Sequence, residues 1–378
     1  MTERSAGPHP GALAGVRVAD FSRVLAGPYA TMLMADMGAD VIKVEPPGGD
    51  DTRRWSPPVD ASGRPTYFGA ANRNKRSVVL DLTDEEDLAR ARDLATSADV
   101  VIENFRPGVM ERFGLDHESL SGANPRVISC SITGFGSGPG ATMPGYDVLV
   151  QAMGGLMSIT GPVEGPASKV GVAVVDVITG LHALTGIQAA LLERTRSGRG
   201  QRIEVNLLSS LLSGLVNQAS AAAGTGVSPA RTGNAHPSIA PYEPFATADG
   251  DLVLAVGNDR QFQRLVALLG APHLAEDQRF ISNSSRVEHR EQLRPVLEAL
   301  LHARSAAEWG ELLRAAGVPA GPVHTISQAL SLAEELELTP VVSVQGEGRA
   351  SRQIANPVSF SRTPVRYQSP PPDLGEHQ

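Results

Sequence analysis

Residues 170–192 read VGVAVVDVITGLHALTGIQAALL, and Asp176 is the only charged residue among them. A run this apolar has to be buried, so it commits the chain to a substantial core. Within it an ionised carboxylate without partners costs several kcal/mol. Asp176 is therefore neutralised, hydrogen-bonded or put to use. The pattern predicts a buried strand over 170–175 and a helix over 179–194. Asp176 falls between them, where an aspartate caps a helix by accepting backbone N–H bonds or stands ready as a reacting group. Composition leaves both readings open.

At 378 residues the chain exceeds one ordinary core and predicts two domains or three. Apolar residues at 41 % and charged residues at 20 % fit a globular enzyme. A net charge of −8 argues against a nucleic-acid partner, which needs a basic face to neutralise phosphates. The single cysteine, Cys130, precludes an intramolecular disulfide and sits in the apolar segment RVISCSI, where a buried structural thiol is expected rather than a reactive thiolate. The nine histidines lack the paired spacing of a zinc site, so no metal is expected. MTERSAGPHPGAL carries no apolar signal core. The 170–192 run, interrupted by Asp176, His182, Gln188 and glycines, reads as a poor membrane span. A cytoplasmic protein without a membrane partner is the expectation.

The first part alternates strand and helix. Strands are predicted at 16–21, 39–45, 77–82, 99–103 and 126–132, with helices at 28–37 and 84–97. Such alternation gives a parallel sheet covered on both faces, with ligands at the carboxyl ends of its strands. The fold class is α/β, a large Rossmann-like domain plus a smaller α+β domain. The turn SRVLAGP (22–28) has one glycine where a dinucleotide fingerprint needs three, so no nicotinamide or flavin is expected. GFGSGPG (134–140) opens no helix and reads as a mobile loop. A helix is predicted over 206–223, then a Gly/Ser/Pro-rich boundary. Beyond it lie a hairpin at 245–256 turning at Asp249-Gly250-Asp251 and helices near 259–269 and 290–315. The domains are accordingly 1–223, a small domain 224–326, and a proline-rich segment 327–378 returning to the large domain.

Several segments, taken in order, resemble the family III coenzyme A transferases (the CaiB/BaiF group), which include formyl-CoA transferase, carnitine CoA-transferase relatives and α-methylacyl-CoA racemase. They are VRVADFSRVLAGPYATMLMADMGADVIKVEPPGGD, NRNKRSVVLDL, VIENFRPGVMERFG, SITGFGSGPG with PGYD and QAMGGLMSITG, VDVITGLHALTGIQAALLERTRSGRGQRIEVNLL, TGNAHPSIAPYEPF, GVPAGPV and PPPDLGEH. They run from about residue 13 to 377, nearly the whole chain.

The resemblance implies an interlocked homodimer, coenzyme A and acyl-CoA as substrates, a carboxylic acid acceptor, and Asp176 as the nucleophile. Its carboxylate would attack the thioester, pass through a mixed anhydride and an aspartyl-CoA thioester, and hand the CoA on. A dry pocket weakens the solvation that makes carboxylates poor nucleophiles in water. Matching positions would line the CoA groove: Val24, Leu25 and Ala26; Leu80, Asp81 and Leu82; Glu103, Asn104 and Phe105; Arg112; and Gly145, Tyr146 and Asp147 after Pro144. Arg112 is the expected phosphate contact. Arg73, Lys75 and Arg76 would serve the adenosine phosphates or form a surface charge cluster. Pro46 stands where many members carry a basic residue, for which Arg53 or Arg54 would substitute. His236 is a candidate substrate contact.

The racemase branch uses a histidine in a Gly-His-Asp turn. Here the turn reads Gly145-Tyr146-Asp147, and tyrosine, with a pKa near 10, is a poor proton shuttle at neutral pH. CoA transfer is thus preferred to 2-methylacyl-CoA racemisation and to non-catalytic acyl-CoA binding. Leu25, Tyr146, Met153 and Met157 suggest an apolar pocket for a larger or more hydrophobic acyl group. A leucine at position 25, where oxalate-handling members carry glutamine, argues against strict formyl-CoA:oxalate transfer.

Overall fold

The computed structural model describes residues 11–346 and 349–378. The signal-peptide reading falls largely on residues 1–10, outside the described residues. The chain forms two compact units, the first made of residues up to 156, 170–228 and 339–378, the second of 157–169 and 229–338. The crossings at 228 and 338 come later than residues 223 and 326. Helix Val216–Thr225 runs on to a left-handed Gly226, and helix Ile326–Glu335, opened by a Thr325–Gln328 capping box, carries the second unit past 326.

In the first unit, β1 (Arg17–Asp20), β2 (Asp40–Glu45), β3 (Lys75–Val79), β4 (Val100–Glu103), β5 (Ile128–Thr133) and β6 (Arg202–Asn206) form one parallel sheet in the order β3-β2-β1-β4-β5-β6. The order reverses between β1 and β4, which makes their carboxyl ends the switch point where doubly wound sheets take ligands. Val18, Val41, Val100, Ile102, Ile128, Cys130 and Ile132 supply a buried layer against the helices Ala26–Asp36 and Val174–Ser197. Burial pushes the Cys130 thiol up to about 12, in keeping with a structural thiol.

The expected strand over 170–175 is absent. Residues 170–173 are irregular, and a single helix runs Val174–Ser197, placing Asp176 in its first turn. By length and composition alone this helix is long and apolar enough to cross a membrane, a test that a buried core helix also passes. Its inner side, with Val175, Ala183, Leu184, Ile187 and Ala190, packs into the core of the unit. The helix expected over 206–223 is two, Leu207–Gly214 and Val216–Thr225, broken where Val216 takes φ of 39°.

The second unit carries a three-stranded antiparallel sheet of β7 (Tyr242–Ala246), β8 (Asp251–Ala255) and β9 (Ala320–Pro322). Phe245, Leu252, Leu254, Phe262, Leu297, Trp309 and Leu313 make its core. Residues 290–315 divide into helices Arg290–Leu301 and Ala306–Ala315 because Ser305 and Glu308 close a capping box that starts the second. Residues after 339 rejoin the first unit as a hairpin, β10 (Val341–Gly346) with β11 (Arg349–Ile354), and an extended tail.

Candidate active site

The long helix begins without a cap of its own, because Ala173 at the N-cap position has no side chain to offer. Asp147 supplies one from elsewhere in the sequence. Its Oδ2 accepts the N–H of Val175 at 2.8 Å and of Asp176 at 3.3 Å, and its Oδ1 accepts Gln151 Nε2 at 2.6 Å. Gln151, fully buried, also accepts the N–H of Val170 at 2.9 Å and so ties down the segment leading into the helix. The capping task expected of Asp176 thus belongs to Asp147. No side-chain hydrogen bond engages the Asp176 carboxylate among the described residues. Burial first, and the like charge of Asp147 second, push Asp176 up to about 7.

Asp176 faces a cavity of about 100 Å³ that it shares with Ala26, Asn104, Phe105, Pro144 and Gly145, all anticipated from the sequence. The remaining wall is mostly glycine and apolar, with Gly134, Gly136, Gly140, Ile132, Met143 and Leu207, together with one cation, Arg106. Gly134 and Gly145 lie so close that a Cβ on Gly145 would stand 2.6 Å from the Gly134 Cα, so both must be glycine for this wall to close.

Ala26 is set by the turn before it. Asn104 follows β4 across the switch point and pairs with both backbone groups of Arg23, accepting its N–H at 2.8 Å and donating to its carbonyl at 2.8 Å. On the other side the buried Lys43 and Asp50, 3.0 Å apart, hold the Ser22 carbonyl at 2.8 Å and the Val24 N–H at 3.1 Å. Between these clamps Val24 adopts φ of 67°, a left-handed conformation costly for a β-branched residue. Burial opposes ionisation of Asp50, but the Lys43 ammonium and the Thr52 hydrogen bonds hold it down to about 2. The Asn104 amide is therefore spent on shaping the chain.

A second cavity of about 250 Å³ lies at the carboxyl ends of β2 and β3. It brings together the predicted Leu80, Asp81, Leu82, Phe105 and Arg112, and adds Arg23. Phe105 belongs to both cavities. Arg23 stacks over its ring at 5.0 Å, and Arg112 over Phe113 at 4.5 Å. An apolar trough flanked by two guanidinium groups suits a ligand with a thin chain and anionic ends. Arg23 was not picked out in the sequence. It adjoins the recognisable LAGP turn, but nothing local shows that β4 brings Phe105 against it.

Glu103 departs from expectation. Its carboxylate accepts the Ser131 hydroxyl and, at 2.7 Å, the Phe105 N–H, and it lines a third cavity of about 180 Å³ with His117, Ser129 and Arg202, adjoining the Asp176 cavity. Burial pushes it up to about 7. Glu103 is the last residue of β4 and turns its carboxylate to Ser131 on the neighbouring β5, whereas Asn104 and Phe105 lie beyond the strand and line the Asp176 cavity. Tyr146 is exposed (63 %), as is Met153 (60 %). Neither they nor Leu25 lines the Asp176 cavity, and Met157 belongs to the second unit, so the apolar acyl pocket expected from these four residues is not present in the first unit.

The basic residues nearby are already engaged. Buried Arg73 pairs with Asp36 at 2.7 Å and buried Lys75 with Asp20 at 3.1 Å, so neither forms a surface cluster or waits for phosphate. Arg53 pairs with Glu45 at 2.6 Å and Arg54, on the surface, with Asp51 at 2.8 Å, so both residues named as substitutes for a base at Pro46 have acidic partners. His182 Nδ1 meets the Ser210 hydroxyl at 3.1 Å. In the second unit His236 Nδ1 accepts the Ser238 N–H at 3.1 Å, and its ring lies 5.2 Å from Tyr242. Tyr67 escaped the sequence reading. Its phenol is held above its ordinary range by burial, then by the Asp176 and Asp147 charges.

The model of CoA-transferase family III matches residues 13–378. Succinate–glutarate CoA-transferase of Agrobacterium fabrum is 46 % identical over 386 residues, covering 97 % of this chain and 94 % of the relative. Acetyl-CoA:oxalate CoA-transferase of Acetobacter aceti is 42 % identical over 335 residues, covering 88 % and 86 %. Among solved structures, a CAIB/BAIF family protein from Brucella suis superposes with a TM-score of 0.88 at 43 % identity, covering 97 % of both chains. The chain thus belongs to CoA-transferase family III and is a CoA-transferase acting between acyl-CoA thioesters and carboxylic acids.

Proposed function

We propose that this chain moves coenzyme A between dicarboxylic acids through covalent catalysis by Asp176. The observation that carries the mechanism is the division of labour at the head of the long helix. Asp147 takes the backbone N–H groups, leaving the Asp176 carboxylate unbonded in a narrow, largely apolar cavity. A carboxylate so stripped of donors is a stronger nucleophile than one in water.

An Asp176 oxygen attacks the thioester carbonyl, the C–S bond breaks, and CoA thiolate leaves a mixed anhydride. The thiolate attacks the aspartyl carbonyl of that anhydride, releasing the first acid as its carboxylate and leaving an aspartyl-CoA thioester. The acceptor carboxylate attacks this thioester, giving a second anhydride and free thiolate. The thiolate then attacks the acceptor's acyl carbonyl, forming the new acyl-CoA and restoring Asp176. The trough between Arg23 and Arg112 is assigned to the CoA moiety. Dicarboxylic substrates are proposed because the relatives are named for succinate, glutarate and oxalate.

A homodimer is proposed with it. Leu181, Leu192, Leu212 and Val216 on the long helix and its successors are 42–66 % exposed, an apolar surface suited to a second copy. Light scattering at micromolar concentration checks this, a monomeric mass counting against it.

The mechanism is tested by incubating the protein with succinyl-CoA, quenching with hydroxylamine and mapping the modified peptide by mass spectrometry. A hydroxamate at Asp176 is expected. Its absence, together with undiminished CoA exchange by Asp176→Ala, rejects the assignment.

A further inference from the structure

Arg106 is the one cation lining the Asp176 cavity, and Asp176 is the one anion. Its guanidinium has no ion pair, hydrogen bond or ring partner among the described residues. The other guanidinium groups nearby have their own surroundings: Arg202 pairs with Glu204, and Arg23 and Arg112 line the separate trough assigned to the CoA moiety. Glu103, which shares a cavity with Arg106, forms no ion pair with it and has its carboxylate taken by Ser131 and by the Phe105 N–H.

The position of Arg106 adds a second argument. The residue lines both the Asp176 cavity and the Glu103 cavity, together with Pro107 and Thr133. Pro107 and Gly108, the latter at φ of 89°, hold the backbone there while the exposed side chain stays free to swing. An acyl group bonded through Asp176 therefore has one cationic side chain on the cavity wall and otherwise mostly glycine and apolar residues, with Asn104 and Thr133 the neutral polar ones. A second carboxylate on that acyl group would be costly to desolvate there unless paired. A guanidinium pairs with a carboxylate through two parallel hydrogen bonds.

We propose that Arg106 is the specificity residue of this transferase and binds the distal carboxylate of a dicarboxylic acyl group while its other end reacts at Asp176. The proposal rests on the dicarboxylate reading above and names the group that enforces it. It follows that a monocarboxylic acyl group of the same length binds the CoA trough equally well but leaves Arg106 unpaired.

The test compares succinyl-CoA with butyryl-CoA, which share a four-carbon acyl chain, on the full-length wild type and on Arg106→Met and Arg106→Lys. Arg106→Met should lower kcat/KM for succinyl-CoA about 10- to 100-fold and leave butyryl-CoA within about threefold, with Arg106→Lys recovering part of the loss. Binding of both thioesters to Asp176→Asn and to Asp176→Asn/Arg106→Met, measured by titration calorimetry, should show the same collapse of the succinyl preference. Equal losses on both thioesters would place Arg106 on the CoA moiety instead, and an unchanged succinyl preference would likewise overturn the proposal. Hydroxylamine trapping on Arg106→Met separates this outcome from failure of the covalent mechanism. An Asp176 adduct with an intact succinyl preference rejects Arg106 alone, whereas a missing adduct in wild type rejects the mechanism and leaves the binding comparison to decide Arg106.

Discussion

Asp147 caps the helix on which Asp176 sits, accepting the N–H of Asp176 itself at 3.3 Å, and at the same time raises that residue's pKa by its charge. The two roles separate by substitution. Asp147→Asn keeps an oxygen for the N–H groups but removes the charge. The acid limb of kcat/KM, which in wild type falls as pH drops through about 7 because Asp176 takes up its proton, should then move to lower pH. Asp147→Ala loses the cap as well and should cost a further 0.5–2 kcal/mol or so of stability. A pH–rate profile for the Asn variant checks the first expectation, and an unmoved acid limb contradicts it.

Asp176 should also destabilise the fold it serves, in a pH-dependent way. Its folded pKa of about 7 exceeds the ordinary 3.8, so between those values the folded chain holds a proton that the unfolded chain releases. Stability from this group therefore falls as pH rises from about 4 to about 7, and the full cost persists above 7. Asp176→Asn should abolish transfer yet raise stability at pH 8 by roughly 2–4 kcal/mol, with a smaller gain at pH 5. Denaturant melts of both proteins at the two pH values decide it. An equal gain at both would show that the carboxyl is not held neutral by its site.

The sheet was legible because alternation of short apolar strands with helices is a local property, and β1 to β5 lie where the pattern places them. The site was less so. Asp176 stood out as a lone charge, but its partner Asp147 lies 29 residues earlier, and no local signal says which aspartate caps and which reacts. The same distance problem hid the clamp that Asn104, itself anticipated, places on Arg23 across 81 residues, and the cavity that Glu103 lines. Arg73 and Lys75 read as phosphate contacts or surface charge because their partners, Asp36 and Asp20, come from other elements. The apparent strand at 170–175 failed because Asp147 and Gln151 organise those residues as the lead-in to a helix.

Gly180 lies one turn beyond Asp176, where the long helix meets the turn that carries Ala26. A Cβ at this position would sit 2.6 Å from the Ala26 carbonyl oxygen, a backbone atom fixed by the clamps on Arg23 and Val24. Gly180→Ala must then shift the helix or the turn, at an expected cost of about 1–3 kcal/mol. The damage to kcat should exceed that to KM for acyl-CoA, since Asp176 moves relative to Ala26 while the trough at Leu80–Leu82 is untouched. Steady-state kinetics showing a pure KM effect would refute this coupling.

The tail after residue 339 is fastened to the first helix through one carboxylate. Asp36, fully buried, accepts Arg73 Nε at 2.9 Å and Asn74 Nδ2 at 2.8 Å on one oxygen, and Arg73 Nη2 at 2.7 Å and Asn356 Nδ2 at 3.1 Å on the other. Its backbone carbonyl takes the Arg366 N–H at 2.9 Å, and Arg73 Nη1 reaches the Ile354 carbonyl at 2.9 Å. Asp36→Ala strands a buried guanidinium and two amide groups, and should cost about 3–5 kcal/mol. Replacing both partners in Asp36→Ala/Arg73→Met removes the stranded charge and should recover part of that loss, a non-additivity that a double-mutant cycle in urea reads directly. Limited proteolysis should cut the Asp36→Ala protein after residue 354 before it cuts the sheet, because the tail loses its anchor while β1 to β6 keep their ladders. Simple additivity of the two substitutions, with the tail as resistant as in wild type, would mean that the tail is held by its other contacts.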